Sequence, residues 1–479
     1  MSRIHCSMRL STPEIIMNST ELQLDVSCFS KRRQLLLDWM RSQGGGVAII
    51  ATADVQQRNR DNLHSYRFDS DFFYLTGFTE PDAWLVLVCE SRDYAFLFCA
   101  EKHPDREIWD GFRWGPEAAK SAFAMDDAHD IALLDQELPP MLVGMPQLFL
   151  PITSGATSLH LKRIQGWLSE ANSKARGTRQ TPERLIDLAP VIAEMRLVKD
   201  LGEIDTMKRA AAISAEGHIQ AMLAAAPGRR EYELEAVLMH VFRAHGAQSV
   251  AYDSIVAAGK NACTLHHRAG SSLMRDKDLV LIDAGCELDG YASDITRTFP
   301  CSGRFTGPQR ALYDIVLAAQ AAAADCTSPS HDFNAGHEAA VRVLAQGMID
   351  TGLLKGTLDD AIESASYQRF YMHRTGHWLG LDVHDVGSYR DPLSKSDIRP
   401  WRKLETGMVL TIEPGIYIRP GPDVPEAFWN IGIRIEDDAL VTEKGCELIT
   451  RDAPVDPDEI EALMRDQAFP AGMPGASGF

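Results

Sequence analysis

The chain is short of positive charge. Its 479 residues carry 48 Lys and Arg against 67 Asp and Glu, a formal charge of −19. So acidic a chain repels phosphate backbones, which excludes nucleic acid as an expected partner. Long apolar runs are also missing. The Ala-rich stretch Leu317–Ala324 is broken by Gln320 and falls short of the roughly 18 residues that a membrane span needs, so no membrane partner is expected. Arg3 and Arg9 precede no continuous apolar core, so no secretory signal is read there. The nine cysteines stand singly, with no C-x-x-C pair. Single thiols of this kind point to a reducing, cytoplasmic setting rather than a disulfide framework. On that argument the sequon Asn18-Ser19-Thr20 is a chance match. Several catalytic signatures are absent too. His337-Glu338 is followed by Val341 where a zincin helix needs histidine, Gly259-Lys260 lacks the flanking residues of a P-loop, and no G-x-S-x-G occurs.

What is present is ordinary in bulk. Hydrophobic residues make up 45% and charged residues 24%, which excludes a collagenous, mucin-like or disordered chain. The length predicts two or more domains. Phe29, Leu36, Leu37 and Met40 predict an amphipathic helix, and Val47–Ile50, Phe72–Thr76, Ala83–Val88 and Ala95–Cys99 predict strands. Strands alternating with helices give an α/β first domain over residues 28–190. The polar segment Ser173–Pro182 is the linker candidate. A second domain over residues 195–455 is predicted to mix helices (Glu203–Leu223, Tyr232–Ala244, Gln309–Ala323 and Asn334–Thr351) with antiparallel strands (Ser254–Ala258, Leu279–Ala284, Ile295–Phe299, Val409–Ile412 and Ile431–Ile435). Residues 1–27 and 468–479 are expected to be flexible.

The chemistry concentrates in that second domain. Two strand patterns flank Leu288-Asp289-Gly290, and a hairpin centred between Leu288 and Asp289 pairs Asp283 with Asp294. Directly opposed residues have Cβ atoms about 4.5–5.5 Å apart, where like charges repel. A dication between the carboxylates removes that repulsion, and two solvated hairpin aspartates are the alternative. His377 and His384 flank Gly380 in the run His377-Trp-Leu-Gly-Leu-Asp-Val-His384-Asp385. Imidazole suits first-row metals, although each histidine alone could equally serve packing. Thr411 and Glu413 alternate with Leu410 and Ile412; Gly432, Arg434 and Glu436 alternate with Ile431, Ile433 and Ile435. Each of these strands therefore turns one face to a core and aims a carboxylate the other way, towards either a site or water. Four carboxylates and a histidine suit two dications of the Mn²⁺, Co²⁺ or Zn²⁺ kind. Spaced about 3.5–4 Å apart, these need a bridging carboxylate and leave a bridging water as nucleophile.

Together these motifs resemble the aminopeptidase P family (Xaa-Pro aminopeptidases) of the pita-bread metallopeptidases, which also include methionine aminopeptidase and prolidase. The resemblance spans roughly residues 30–450. It rests on Asp283 with Asp294, His377-x-x-Gly-x-x-x-His384-Asp385, Glu413-Pro-Gly and Arg434-Ile-Glu436, and on Ser70-Asp-Phe-Phe-Tyr-Leu-Thr-Gly-Phe-Thr-Glu-Pro81 in the first domain. It implies an α/β N-terminal domain followed by a pita-bread α+β catalytic domain with an antiparallel sheet. It implies two divalent ions, Mn²⁺ above all, held by Asp283, Asp294, His377, Glu413 and Glu436, with Asp294 and Glu436 bridging. Glu413 is then also the proton shuttle, and His266 and His384 face the scissile carbonyl. Arg434 holds carboxylates, Tyr417 supports the site, and Trp109 reaches a neighbouring subunit of a homodimer or homotetramer; a core aromatic is the alternative for Tyr417 and for Trp109. After His266 the family often has tyrosine and a nearby asparagine, where this chain has His267-Arg-Ala-Gly. The implied activity is metal-assisted release of the first residue ahead of proline, by a bridging hydroxide. The alternatives are a prolidase acting on Xaa-Pro dipeptides and a non-peptidase binding protein of the same fold.

Overall fold

The computed structural model describes residues 26–153, 155–175 and 180–466, so both segments expected to be flexible lie essentially outside the described residues. The chain divides into two compact units, with the boundary between Ala189 and Pro190.

The first unit is built on a six-stranded mixed sheet. Its order is Asp127–Asp130, Asp93–Cys99, Trp84–Cys89, Gly46–Ala51, Gln147–Leu150 and Arg184–Asp187. Gly46–Ala51 is buried along its whole length, as a central strand covered on both faces should be. The helices Val26–Ser42, Leu134–Met141 and Leu161–Lys174 belong to this α/β unit, as expected. Two readings need correction. The expected strand Phe72–Thr76 belongs to a helix, Ser70–Thr76. Asp69 caps it by accepting from the Phe72 N–H at 3.0 Å, and Gly77 closes it. Every residue of that helix is buried, so no 3.6-residue period was there to be read. The linker candidate Ser173–Pro182 does not separate the units, because Arg184–Asp187 pairs in parallel with Gln147–Leu150 and extends the first sheet.

The second unit repeats one plan twice. The helices Leu201–Ala224 and Glu231–Ala244 precede the antiparallel strands Ile255–Ala258, Leu279–Asp283 and Thr296–Pro300. The helices Gly307–Asp325 and Phe333–Asp350 precede Val409–Ile412 paired with Asp437–Val441, and Gly415–Ile418 paired with Ile431–Arg434. One apolar core, with Leu238, Val280, Tyr313, Leu344, Trp378 and Ile433 among its members, joins the helices to the strands.

The hairpin register differs from the expected one. Asp283 pairs with Thr296, and Leu288 pairs with Tyr291, so the turn is centred on Asp289-Gly290. Both turn residues have positive φ, 50° and 85°. Those are the angles of a type I′ turn, which Asp-Gly favours. Asp283 and Asp294 are therefore not direct cross-strand partners.

The second half is locked to this hairpin by a buried cation. Arg297 is fully buried and donates to the carbonyls of Thr296 at 3.0 Å, Glu436 at 2.5 Å and Ala453 at 2.8 Å, and to Asp437 Oδ1 at 2.7 Å. Asp437 also accepts from Gln320, Thr450 and Arg451, at 2.7, 2.8 and 2.9 Å. Replacing one partner of such a pair strands the other charge in the interior. Arg297→Met is expected to cost about 3–5 kcal/mol of unfolding free energy by chemical denaturation. Asp437→Asn, which leaves Arg297 without its anion and turns one accepting oxygen into a donor, is expected to cost a similar amount.

His218 adds a pH dependence. It is fully buried, bonded through Nε2 to the Ala284 carbonyl at 2.9 Å, and burial lowers its pKa to about 4. The unfolded imidazole takes a proton near pH 6.5, but the folded one does not until about pH 4. Stability from this group is intact above pH 6.5 and is lost as pH falls from 6.5 towards 4. His218→Gln is expected to flatten the stability-versus-pH slope in that window, measured by denaturation at a series of pH values.

Candidate metal centre

The strand ends of the second unit converge on one cavity of about 560 Å³. Asp283 ends Leu279–Asp283, Asp294 follows the Asp289-Gly290 turn, Glu413 follows Val409–Ile412, and Glu436 follows Ile431–Arg434. All four line the cavity, with His377. Ligand atoms of Asp294, His377 and Glu436 lie within 4.8 Å of one another. His377 Nε2 is 3.5 Å from Asp294 Oδ2 and 3.8 Å from Glu413 Oε1. Its Nδ1 lies 2.9 Å from the Trp378 carbonyl. With Nδ1 on that carbonyl, Nε2 faces the carboxylates, the orientation a metal-binding imidazole takes.

The surroundings hold these groups in place. Arg434 donates to Asp283 Oδ2 at 2.5 Å, to Thr296 Oγ1 at 3.0 Å and to the Tyr417 hydroxyl at 2.9 Å. Thr296 in turn donates to Glu436 Oε2 at 2.6 Å. The Tyr417 hydroxyl is also 2.8 Å from His373 Nε2, so this buried tyrosine is both a core residue and a polar link.

Charge in the cluster is unbalanced. Burial pushes the Glu436 carboxyl well above the carboxylate range, with Asp294 and Glu413 adding to the effect. Burial likewise pushes Glu413 up to about 7, against the pull of His377 and Arg434, and raises Asp283 despite Arg434. Asp294 alone of the four is held low: burial raises it, and His377, Tyr252 and Arg434 together more than offset that. Four acidic groups thus face one permanent cation, Arg434, and one histidine. Oxygen-rich donors with one nitrogen and an excess of negative charge are what a hard or borderline dication requires, so the residues present fit such an ion.

The remaining expected residues divide. His266 and His384 line the same cavity. The His384 ring stacks on that of His377, with centroids 3.9 Å apart and planes 18° apart, and burial beside His377 lowers its pKa. Trp109 lies in the first unit, on the helix Pro104–Asp110, and is 87% exposed, so it is not a core aromatic.

Two residues of the site were missed by sequence reasoning. The Tyr252 hydroxyl donates to Asp283 Oδ1 and lies 2.5 Å from Asp294 Oδ1, joining the two aspartates. Nothing periodic marks it; only its place just before the strand Ile255–Ala258 does. His373 lies 3.7 Å from Glu413 and holds Tyr417, and its signal was the cluster Met372-His373-Arg374-Thr375-Gly376 just ahead of His377.

Comparison with known proteins agrees with this geometry. The model of metallopeptidase family M24 matches residues 205–443, and that of the aminopeptidase P N-terminal domain matches residues 29–149. The Xaa-Pro aminopeptidase of Escherichia coli strain K12 is 41% identical over 438 residues, covering 91% of this chain and 97% of that protein. The solved structure of Pseudomonas aeruginosa aminopeptidase PepP superposes with a TM-score of 0.88 at 45% identity, covering 92% of this chain and 98% of that one. A glutamate-to-alanine variant of E. coli aminopeptidase P in complex with substrate superposes with a TM-score of 0.87 at 40% identity, covering 92% and 99%. Both the α/β N-terminal domain and the pita-bread catalytic domain are therefore present, and the chain belongs to metallopeptidase family M24 as a metallo-aminopeptidase of the aminopeptidase P kind.

Proposed function

We propose that the protein removes the N-terminal residue from peptides that carry proline in second position, using two Mn²⁺ ions. One observation carries the proposal: an acidic, buried cluster with one inward-facing imidazole Nε2 lies in a cavity that His266, His373 and His384 also line. The similarity to Xaa-Pro aminopeptidases along nine-tenths of the chain supports the same reading.

Asp283, Asp294, His377, Glu413 and Glu436 are the residues that would hold the ions. Bound there, the ions supply Lewis-acid activation of a water nucleophile and of the scissile carbonyl. The chain's own residues do the rest. Arg434 keeps the Asp283 carboxylate oriented, and Thr296 fixes one oxygen of Glu436 so that the other stays available. Glu413 accepts the proton from the nucleophile and returns it to the leaving nitrogen. In proline that nitrogen is a secondary amine once the bond breaks, and it has no N–H of its own beforehand, so the returned proton is required. His266 and His384 present ring N–H groups to the developing oxyanion.

The subunit reading rests on the first unit. Ile108, Trp109 and Phe112 expose 79%, 87% and 60% of their surface within five residues, an apolar patch that suits a homodimer or homotetramer contact. A cytoplasmic setting is supported by Cys28, Cys89, Cys99, Cys263, Cys286, Cys301, Cys326 and Cys446, all of which are free thiols. Among the described residues no helix is long and apolar enough to cross a membrane.

A mass-spectrometric time course tests the activity. Chelator-stripped protein is incubated with an Xaa-Pro-Yaa-Zaa peptide and, separately, with an Xaa-Pro dipeptide, each with and without Mn²⁺. Mn²⁺-dependent release of the first residue from the longer peptide is expected. Cleavage of the dipeptide alone would identify a prolidase, and cleavage of neither would leave a binding protein. His384→Ala is expected to lower kcat by about 10²–10³ in the same assay. Adding Mn²⁺ to stripped protein is also expected to raise Tm, because the ligands come together only in the folded chain.

A further inference from the structure

We infer that Asp385 is a positioning residue for the centre: clamped between Arg196 and Lys199, it folds the loop that sets the rings of His377 and His384 against each other. The inference rests on the reading of His377 as a ligand and of His384 as a group facing the carbonyl, and it gives a role to the aspartate that closes the His377-to-Asp385 motif.

The clamp is a buried carboxylate held between two buried cations. Arg196 Nη2 donates to Asp385 Oδ1 at 2.5 Å and to Asp382 Oδ2 at 2.8 Å. Lys199 Nζ donates to Asp385 Oδ2 at 3.1 Å. The side chains of Arg196, Lys199 and Asp385 are 3%, 1% and 1% exposed. Both oxygens of Asp385 are thus tied to cations carried by the segment that leads into the helix Leu201–Ala224. Ion pairs this deeply buried are strongly coupled, because removing one partner leaves a charge without solvent.

The loop is pinched at the same point. The Asp385 N–H donates to the Trp378 carbonyl at 2.9 Å, and the Gly380 N–H donates to the Asp382 carbonyl at 3.1 Å. The Gly380 carbonyl accepts from the Ala292 N–H at 2.9 Å, which docks the loop against the hairpin just ahead of Asp294. A Cβ at position 380 would collide with Asp385 Oδ2, so the glycine of the motif makes room for the clamped carboxylate. The pinch joins the residue after His377 to the residue after His384, and the two imidazoles stack with centroids 3.9 Å apart. Asp385 makes no hydrogen bond to either ring. It acts by fixing the backbone that presents both.

The test uses the full chain with Mn²⁺ as the probe. Asp385→Asn keeps the volume and removes the charge. On chelator-stripped protein, calorimetric titration is expected to show Mn²⁺ affinity weakened about 10–100-fold, the range for residues that orient metal ligands. Mn²⁺-saturated variant is expected to lose kcat by a similar factor, with KM nearly unchanged. Lys199→Met, which leaves Asp385 on Arg196, is expected to show the same losses in smaller degree, and it carries the test if Asp385→Asn does not fold. A merely structural role would lower Tm yet leave Mn²⁺ affinity and kcat unchanged well below Tm; that outcome overturns the inference. Wild-type protein that binds no Mn²⁺ overturns the metal-centre reading, and this inference with it, so the two failures are told apart.

Discussion

Like charges forced together inside the protein are the constraint around which the second unit is organised. Asp283, Asp294, Glu413 and Glu436 leave four different strand ends for one cavity, where burial opposes their ionisation. A packed interior tolerates this only if neighbouring groups hold each carboxylate still and a cation completes the set. The neighbours are visible. Tyr252 and Arg434 take Asp283, Thr296 takes Glu436, and His377 takes Asp294. Stability is given up at the centre so that binding a dication can recover it.

Rigidity for this comes from a second layer of buried charge that is paired with opposite charge. Arg297 with Asp437 ties the first hairpin to the last strands by way of the Glu436 carbonyl. Arg196 and Lys199 with Asp385 tie the histidine loop to the start of the first long helix. These pairs have the hydrogen bonds that repay desolvation, whereas the central carboxylates lack them in part. The contrast separates scaffold from site within one unit: paired charges fix geometry, and an excess of one sign suits a cation.

Much of this could be read from the residues. Alternation along Val409–Glu413 and Ile431–Glu436 placed both glutamates on the face opposite the core, because a strand has a strict period of two. The helices from Leu201 onward follow from long apolar periodicity with sharp stops. Phe72–Thr76 was misread because a helix buried on every side shows no polar face. The observed register is two residues from the expected one, with Asp283 opposite Thr296 instead of Asp294, because the turn centre lies one residue later, on Asp289-Gly290, where both residues have positive φ. Tyr252 is brought to the site by tertiary packing that no local spacing encodes, whereas His373 stands four residues ahead of His377, where its contact with Tyr417 forms only in the fold.

The free thiols carry a consequence of another kind. Burial pushes Cys99 and Cys301 up to about 12, and Cys263, Cys286 and Cys446 up to about 11. At neutral pH only about one such group in ten thousand or fewer is a thiolate, the form that attacks peroxides and alkylating agents. A chain with nine cysteines is thereby chemically quiet at these five positions. Oxidant damage to the thiols should begin at other cysteines, with the half-buried Cys28 and Cys326 ahead of these five.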